Sequence, residues 1–191
     1  MKYRNSWYVI GFLGCLFLAP LAHALEVAGV QVEEKIKLGG SDLVLNGAGL
    51  RTKVFFKVYV AALYVPQKSS SPAALMEPNA ARRVSLTLLR GLDSDTLFGA
   101  LKDSLTDNHS EAEMAALKPQ IDQLAEIMKK IGSGKSGDVI DLDLSPDSVT
   151  VGFNKELKGK VTGAGFYKAL LKIWLGENPV DASLKKALLG S

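Results

Sequence analysis

The most regular pattern in the chain is a two-residue alternation of side chains along residues 51–65. One face of this run is almost wholly apolar and consists of Val54, Phe56, Val58, Val60, Ala62 and Tyr64. The other face mixes cations with apolar groups and consists of Arg51, Lys53, Phe55, Lys57, Tyr59, Ala61 and Leu63. Such alternation is typical of a β-strand with one buried face. The mixed face is then either a solvated surface, which the pattern alone favours, or the wall of a cleft.

The same alternation predicts shorter strands on both sides of this run. They are predicted at residues 27–32, 34–38, 42–45, 83–90, 139–144, 149–153 and 156–161. Turns are predicted where glycine, proline and asparagine interrupt the alternation, at residues 39–41, 46–49, 145–147 and 154–155. The glycine-rich segment 132–137 is interpreted as a linker before the last three strands.

Apolar residues that recur every three or four positions predict helices between and after these strands. Asp93, Ser94 and Asp95 offer N-caps for the first, and Ser110 with Glu113 begins the second with a capping box. Pro119 is expected to kink or restart that second helix. An aromatic-rich stripe ends at Gly176, and Asp181 caps a last helix. This order of strands and helices predicts an α+β fold, in which a mainly antiparallel sheet is packed against helices on one face.

The first 24 residues have the features of a secretory signal peptide. Lys2 and Arg4 precede an apolar run that is short for a membrane-spanning helix, and alanines occupy positions 22 and 24. Cys15 gives a loose match to a lipoprotein cleavage site, but apolar residues follow it where a lipoprotein turns polar. We therefore expect cleavage after Ala24, a single domain over residues 25–191, and a periplasmic or secreted location without a membrane span.

Cleavage of the leader changes the net charge and the cysteine and histidine content of the mature protein, and with them the functions that its composition allows. The chain has 23 basic and 20 acidic residues, and two of the basic ones lie in the leader, so the mature protein carries a net charge of +1. This balance gives no support to nucleic-acid binding. Cys15, the only cysteine, and His23 also leave with the leader, which excludes metal sites built on several such residues. His109 alone could serve a catalytic triad, and we expect it to cap a helix or lie at the surface instead. No cofactor and no metal are expected.

Two segments resemble signature sequences of the chalcone isomerase superfamily. The first is G-A-G-L-R at residues 47–51 followed by F-K-V-Y-V-A-A-L-Y-V at residues 56–65. The second is the aromatic-rich stripe at residues 166–176 followed by G-E-N-P-V-D at residues 176–181. The order of elements between them also agrees, and the chain is most similar to the bacterial secreted branch, the chalcone isomerase-like proteins. The resemblance implies a chalcone isomerase-like open-faced β-sandwich over nearly all of the mature chain.

The resemblance also implies a ligand site at Arg51 and Tyr59. Arg51 matches the arginine that holds the substrate phenolate in the plant enzymes, which close a chalcone to a flavanone. Tyr59 stands where those enzymes have a threonine, their helix tyrosine has no counterpart, and Asn108 matches their asparagine only in a poor register. Fatty-acid-binding relatives keep an arginine and a tyrosine that clamp a carboxylate, and Arg51 with Tyr59 resembles that pair.

Arg51 and Tyr59 can meet only if residues 51–65 do not form one straight strand. Residues eight apart on a straight strand lie roughly 26 Å from each other, so the resemblance requires a turn or bulge near residues 52–55. The converged pair would offer a bidentate guanidinium and a neutral phenol to one anionic head group. Apolar walls would supply the remaining contact area.

Three functions remain open at this point. The first is non-catalytic binding of a fatty acid or similar small amphipathic acid through Arg51 and Tyr59. The second is an isomerase or lyase of chalcone isomerase type that acts on a phenolic or enone substrate, with Arg51 as its catalytic candidate. The third is a structural or interaction role in which Arg51 pairs with a buried carboxylate such as Asp42. Tyr64 is expected to lie in the core.

Overall fold

The computed structural model describes residues 24–190, so the predicted leader lies outside the described residues except for Ala24, and its cleavage stays a prediction. The strands are β1 (Ala24–Val27), β2 (Val30–Glu33), β3 (Lys35–Leu38), β4 (Ser41–Lys53), β5 (Phe56–Val65), β6 (Arg82–Leu88), β7 (Leu92–Asp93), β8 (Ser133–Gly134), β9 (Val139–Ser145), β10 (Ser148–Phe153) and β11 (Glu156–Thr162). The helices are α1 (Pro72–Leu75), α2 (Ser94–Thr106), α3 (Glu111–Ile131), α4 (Phe166–Leu175) and α5 (Ala182–Leu188).

Seven of the strands form one sheet in the order β11-β10-β9-β6-β5-β4-β3. Every neighbouring pair in this sheet is antiparallel. Strands β1 and β2 form a separate hairpin, and the two-residue strand β8, within the segment interpreted as a linker, pairs with β7. The predicted α+β fold with a mainly antiparallel sheet is confirmed.

The sheet buries a different apolar cluster on each face. The larger core lies between the sheet and the helices and includes Tyr59, Ala61 and Leu63 of β5. The smaller core lies under the β1–β2 hairpin and includes Tyr64 of the same strand. Successive residues of β5 therefore enter opposite cores, as the period of a strand requires. Tyr64 is 5% exposed, which confirms its predicted place in the core.

Residues 51–65 form the end of β4, a two-residue turn at Val54 and Phe55, and β5, so the prediction of one strand is wrong. Val54 and Phe56, which the alternation places on the buried face, are 76% and 60% exposed. A two-residue turn preserves the alternation of side chains, and Val-Phe lacks the glycine or asparagine that marks such turns. The pattern therefore continues across the turn without a visible break.

Residues 46–49, predicted as a turn, lie inside β4. The glycines there serve helix packing, since a Cβ atom on Gly47 would collide with the carbonyl oxygen of Ala187 in α5. Asn46 holds the same helix, because its side-chain amide donates to the carbonyl oxygen of Leu188 at 2.6 Å. Absence of a side chain at Gly47 thus lets the backbones of β4 and α5 approach closely.

Two other local predictions are also wrong. The predicted strand 27–32 is interrupted by a turn at Ala28 and Gly29, which have φ angles of 51° and 86°, and becomes the β1–β2 hairpin. Pro119 does not restart its helix, because α3 runs unbroken from Glu111 to Ile131, whereas the kink stays a prediction. Pro119 and Ala115 both lie on the exposed side, so the carbonyl oxygen that loses its helical partner is open to water.

The predicted helix starts are confirmed by their caps. The side chains of Asp93 and Asp181 accept hydrogen bonds from backbone N–H groups in the first turns of α2 and α5. Ser71 caps the short helix α1 in the same way. Ser110 and Glu113 form the reciprocal capping box that begins α3. None of the helices within residues 24–190 is long and apolar enough to cross a membrane.

Candidate functional site

A cavity of about 350 Å³ lies between the helix-covered face of the sheet and helices α2, α3 and α4. Its lining has 21 residues, and 14 of them are aliphatic residues, phenylalanine or methionine. The polar residues of the lining are Arg51, Lys53, Tyr59, Arg90, Thr96, Ser104 and Trp174. An apolar cleft with a few convergent polar groups is the usual form of a site for a small organic ligand.

Strands β4 and β5 place Arg51 and Tyr59 directly opposite each other in the antiparallel ladder. Cβ atoms of directly opposed residues lie about 4.5–5.5 Å apart. The two residues are therefore much closer than the roughly 26 Å that would separate them on one straight strand. A bulge adjoins the pair, because the register shifts between Arg51 and Thr52 and leaves Val58 as an extra residue of β5. As a result, Val58 and Tyr59 both line the cavity although they are consecutive.

The Tyr59 hydroxyl is buried, and its oxygen accepts a hydrogen bond of 3.0 Å from Nε1 of Trp174. Burial raises the pKa of Tyr59, while the hydrogen bond from Trp174 and the charge of Arg51 oppose this rise without cancelling it. Tyr59 is therefore a neutral phenol at physiological pH. Since its oxygen already accepts from Trp174, the proton of the hydroxyl is the group that remains to be donated to a ligand.

Two hydroxyls of the lining already have partners inside the protein. The hydroxyl of Thr96 donates to Asp93 at 2.7 Å, and that of Ser104 donates to the carbonyl oxygen of Ala100 at 2.9 Å. In contrast, the half-buried Arg51 donates to the carbonyl oxygen of Thr52 at 3.3 Å, interacts with the hydroxyl of Tyr59, and makes no ion pair within residues 24–190. Its remaining guanidinium N–H groups are available to an anion.

The charged residues of the cavity lining are all cations. Arg51, Lys53 and Arg90 are in the lining, which contains no aspartate, glutamate or histidine. Arg90 also lies over the ring of Phe56, 4.8 Å from its centroid. Asp181 lies nearby, but its carboxylate accepts the Thr52 N–H at 3.2 Å and caps α5. Cations beside low-dielectric walls favour an anionic ligand group over a neutral one.

Three other candidate residues lie outside the cavity. The side-chain amide of Asn108 donates to the carbonyl oxygen of Asn178 at 2.7 Å and ties the end of α2 to the segment before α5. Nδ1 of His109 lies 2.8 Å from the carbonyl oxygen of Leu105, so His109 caps α2, as expected.

Asp42 pairs with Lys37 at 3.2 Å at the opposite end of β4 from Arg51. The suggested pair of Arg51 with Asp42 is therefore wrong.

Two residues of the cavity were missed by sequence reasoning. The helical stripe predicts only apolar packing for Trp174, whereas a buried indole N–H also needs an acceptor. Arg90 was treated as the end of a predicted strand, and its approach to the cavity depends on tertiary packing. The need of a buried tryptophan for a hydrogen-bond acceptor is the signal that could have marked Trp174. No local signal in the sequence marks Arg90.

Comparison with known proteins defines the class to which this fold and cavity belong. The sequence profile of the chalcone isomerase-like family matches residues 24–190, so the chain belongs to that family. No curated protein matches the chain. Among solved structures, the fold is similar to that of a fatty-acid-binding protein from Arabidopsis thaliana. The TM-score is 0.66 at 18% identity, over 84% of this chain and 92% of that one. At this identity the likeness concerns the fold alone, and the predicted resemblance is confirmed.

Proposed function

We propose that this protein is a periplasmic or secreted binding protein for a fatty acid or a similar small amphipathic acid, and that it binds this ligand without changing it. The carboxylate lies between Arg51 and Tyr59, and the hydrocarbon tail lies among the apolar residues of the cavity. The observation that carries the proposal is the direct opposition of Arg51 and Tyr59 at the wall of an apolar cavity whose lining has cations but no acidic residue.

Arg51 and Tyr59 have complementary roles toward a carboxylate. The guanidinium is planar and always charged, and it can donate two parallel hydrogen bonds to the two oxygens. The Tyr59 proton adds a neutral donor whose direction is constrained by the hydrogen bond from Trp174. The similar Arabidopsis structure is that of a fatty-acid-binding protein, which supports the same ligand class.

The cavity sets the size of the ligand. A volume of about 350 Å³ lies within the range of about 300–1,000 Å³ that is usual for sites of small organic ligands. Each buried methylene contributes about 0.8 kcal/mol. We therefore expect the affinity for saturated acids to rise with chain length and to level off once the tail fills the cavity.

An isomerase or lyase of chalcone isomerase type is the alternative. The lining contains no carboxylate or imidazole that could act as a general base, so this chemistry would depend on Arg51 and Tyr59 alone. The alternative would be supported over the binding role if the wild-type protein converted chalcones of a panel to flavanones and Arg51→Met did so more slowly.

Native mass spectrometry of protein expressed with its complete sequence tests the binding proposal. We expect a bound species that organic extraction releases as a carboxylic acid, together with an intact mass that lacks residues 1–24 in the periplasmic fraction. Arg51→Met should lose the bound species. Lys160→Met, which removes the same charge from an exposed site on β11, should retain it. The proposal would be contradicted if the wild-type protein carried no ligand and took up no added acid, so that it behaved in the same way as Arg51→Met.

A further inference from the structure

The tip of the β4–β5 hairpin, residues 53–57, exposes three consecutive apolar side chains to solvent. Val54, Phe55 and Phe56 are 76%, 91% and 60% exposed. Only two other large hydrophobic residues within residues 24–190, Leu25 and Leu157, are comparably open. Burying a Phe side chain is strongly favourable, so a contiguous exposed group of this kind is typical of an interaction surface.

Cations surround this apolar tip. Lys53 and Lys57 flank it in sequence and are exposed, and Arg90 lies over the Phe56 ring at 4.8 Å. None of the three belongs to an ion pair within residues 24–190. An apolar tip ringed by unpaired cations is complementary to a surface with an anionic outer layer and an apolar interior.

The tip is also joined to the mouth of the cavity. Lys53, Val54 and Phe56 contribute to the cavity lining, whereas Phe55 and Lys57 do not. Val54 has a φ of 59°, which is a conformational outlier for a β-branched residue. Packing within the chain does not explain why a valine is kept in this conformation at an exposed turn.

We propose that residues 53–57 dock the protein on an anionic phospholipid surface. Phe55 and its neighbours enter the boundary between head groups and acyl chains, while Lys53, Lys57 and Arg90 contact the lipid phosphates. Docking in this orientation places the mouth of the cavity at the membrane. The inference goes beyond the binding role, because association with lipid requires no ligand in the cavity.

Co-sedimentation with vesicles tests this inference. The full-length sequence is expressed, the intact mass establishes that residues 1–24 are absent from the sample, and the ligand is extracted beforehand. We expect binding to vesicles of phosphatidylcholine mixed with anionic phosphatidylglycerol, whose negative surface potential attracts basic segments, and much weaker binding to phosphatidylcholine alone. Binding should also weaken in high salt, since salt screens exposed charges.

Two variants test the apolar tip and its flanking cation without touching the cavity lining. Phe55→Asp should lower the vesicle partition coefficient roughly tenfold or more, and Lys57→Gln should lower it roughly fivefold. Leu157→Asp is the matched control, because Leu157 is 71% exposed on β11 and should leave the partition coefficient unchanged. Circular dichroism verifies that each variant is folded.

Three results would overturn the inference. One is wild-type protein that fails to bind either vesicle, and another is equal loss of binding in Phe55→Asp and Leu157→Asp. The third is a concentration-dependent dimer that Phe55→Asp abolishes in the absence of vesicle binding, which would assign the tip to a second copy of the chain. Laurate affinity measured without lipid reports on the binding role separately, so the two proposals can fail independently.

Discussion

Trp174 donates its indole N–H to the hydroxyl oxygen of Tyr59 at 3.0 Å, and both side chains are buried. This bond joins α4 to β5 and leaves the Tyr59 proton directed away from the tryptophan. Arg51 stands opposite Tyr59 on β4. The helix thus orients the phenol, and the hairpin supplies the cation, at one wall of the same cavity.

Replacement of Tyr59 by phenylalanine should destabilise the protein and weaken acid binding. Tyr59→Phe leaves the buried Trp174 N–H without its acceptor, which costs about 1–3 kcal/mol of unfolding free energy. Loss of the donor to the carboxylate should lower laurate affinity by roughly fivefold to tenfold. Urea unfolding and isothermal titration measure the two effects.

The double variant Tyr59→Phe/Trp174→Phe isolates the bond itself. Because both partners are then removed, the unfolding free energy should fall by less than the sum of the two single changes. Strict additivity would mean that the two side chains do not interact, and would contradict the geometry of this pair.

Gly47 is predicted to be intolerant of any side chain. In Gly47→Ala the new Cβ atom would meet the backbone carbonyl oxygen of Ala187, which cannot move without displacing α5. Overpacking of this kind costs about 1–3 kcal/mol. Gly99→Ala is the control, since nothing lies within 4 Å of its added Cβ and alanine favours the helix by about 0.5–1 kcal/mol. Thermal or urea denaturation should therefore show opposite signs for the two variants, and a neutral Gly47→Ala would refute the close approach.

Stability at high pH should depend on Tyr64. Burial raises the pKa of this phenol in the folded protein to about 12, whereas in the unfolded chain it titrates near its ordinary value of about 10. The unfolded state therefore loses its proton first as the pH rises, and the contribution of the buried phenol is complete below pH ~10 and lost between pH ~10 and ~12. This loss amounts to about 1.4 kcal/mol per pH unit. Urea unfolding across this range should show a smaller decline in Tyr64→Phe than in the wild type; identical slopes would contradict the assignment.

The sequence was sufficient for the class of fold and for the residues of the candidate pair. Caps at Asp93, Ser110 and Asp181 act over three residues or fewer, so local chemistry identifies them. The resemblance to the chalcone isomerase superfamily indicated both Arg51 and Tyr59 as site residues. It also required a turn between them, and the structure has that turn at Val54 and Phe55.

Features that depend on contacts distant in sequence could not be predicted. Gly47 suggested a turn because glycine is common in turns, whereas its actual constraint comes from Ala187, on a helix at the other end of the chain. The turn at Val54 and Phe55 lacks the glycine or asparagine typical of such turns. The alternation therefore predicts one strand where the structure has β4 and β5. The partner of the Trp174 N–H is likewise set by packing of α4 on the sheet.

The proposed role of Arg51 in carboxylate binding is tested most directly by comparing laurate with dodecanol, which has the same chain length but no charge. Isothermal titration of the wild type should give an affinity for laurate at least tenfold above that for dodecanol, since hydrogen bonds to charged groups contribute about 1.5–3 kcal/mol. Arg51→Met should lose this preference and bind dodecanol as the wild type does. Equal affinities of the wild type for both ligands, or an unchanged preference for laurate in Arg51→Met, would contradict the account.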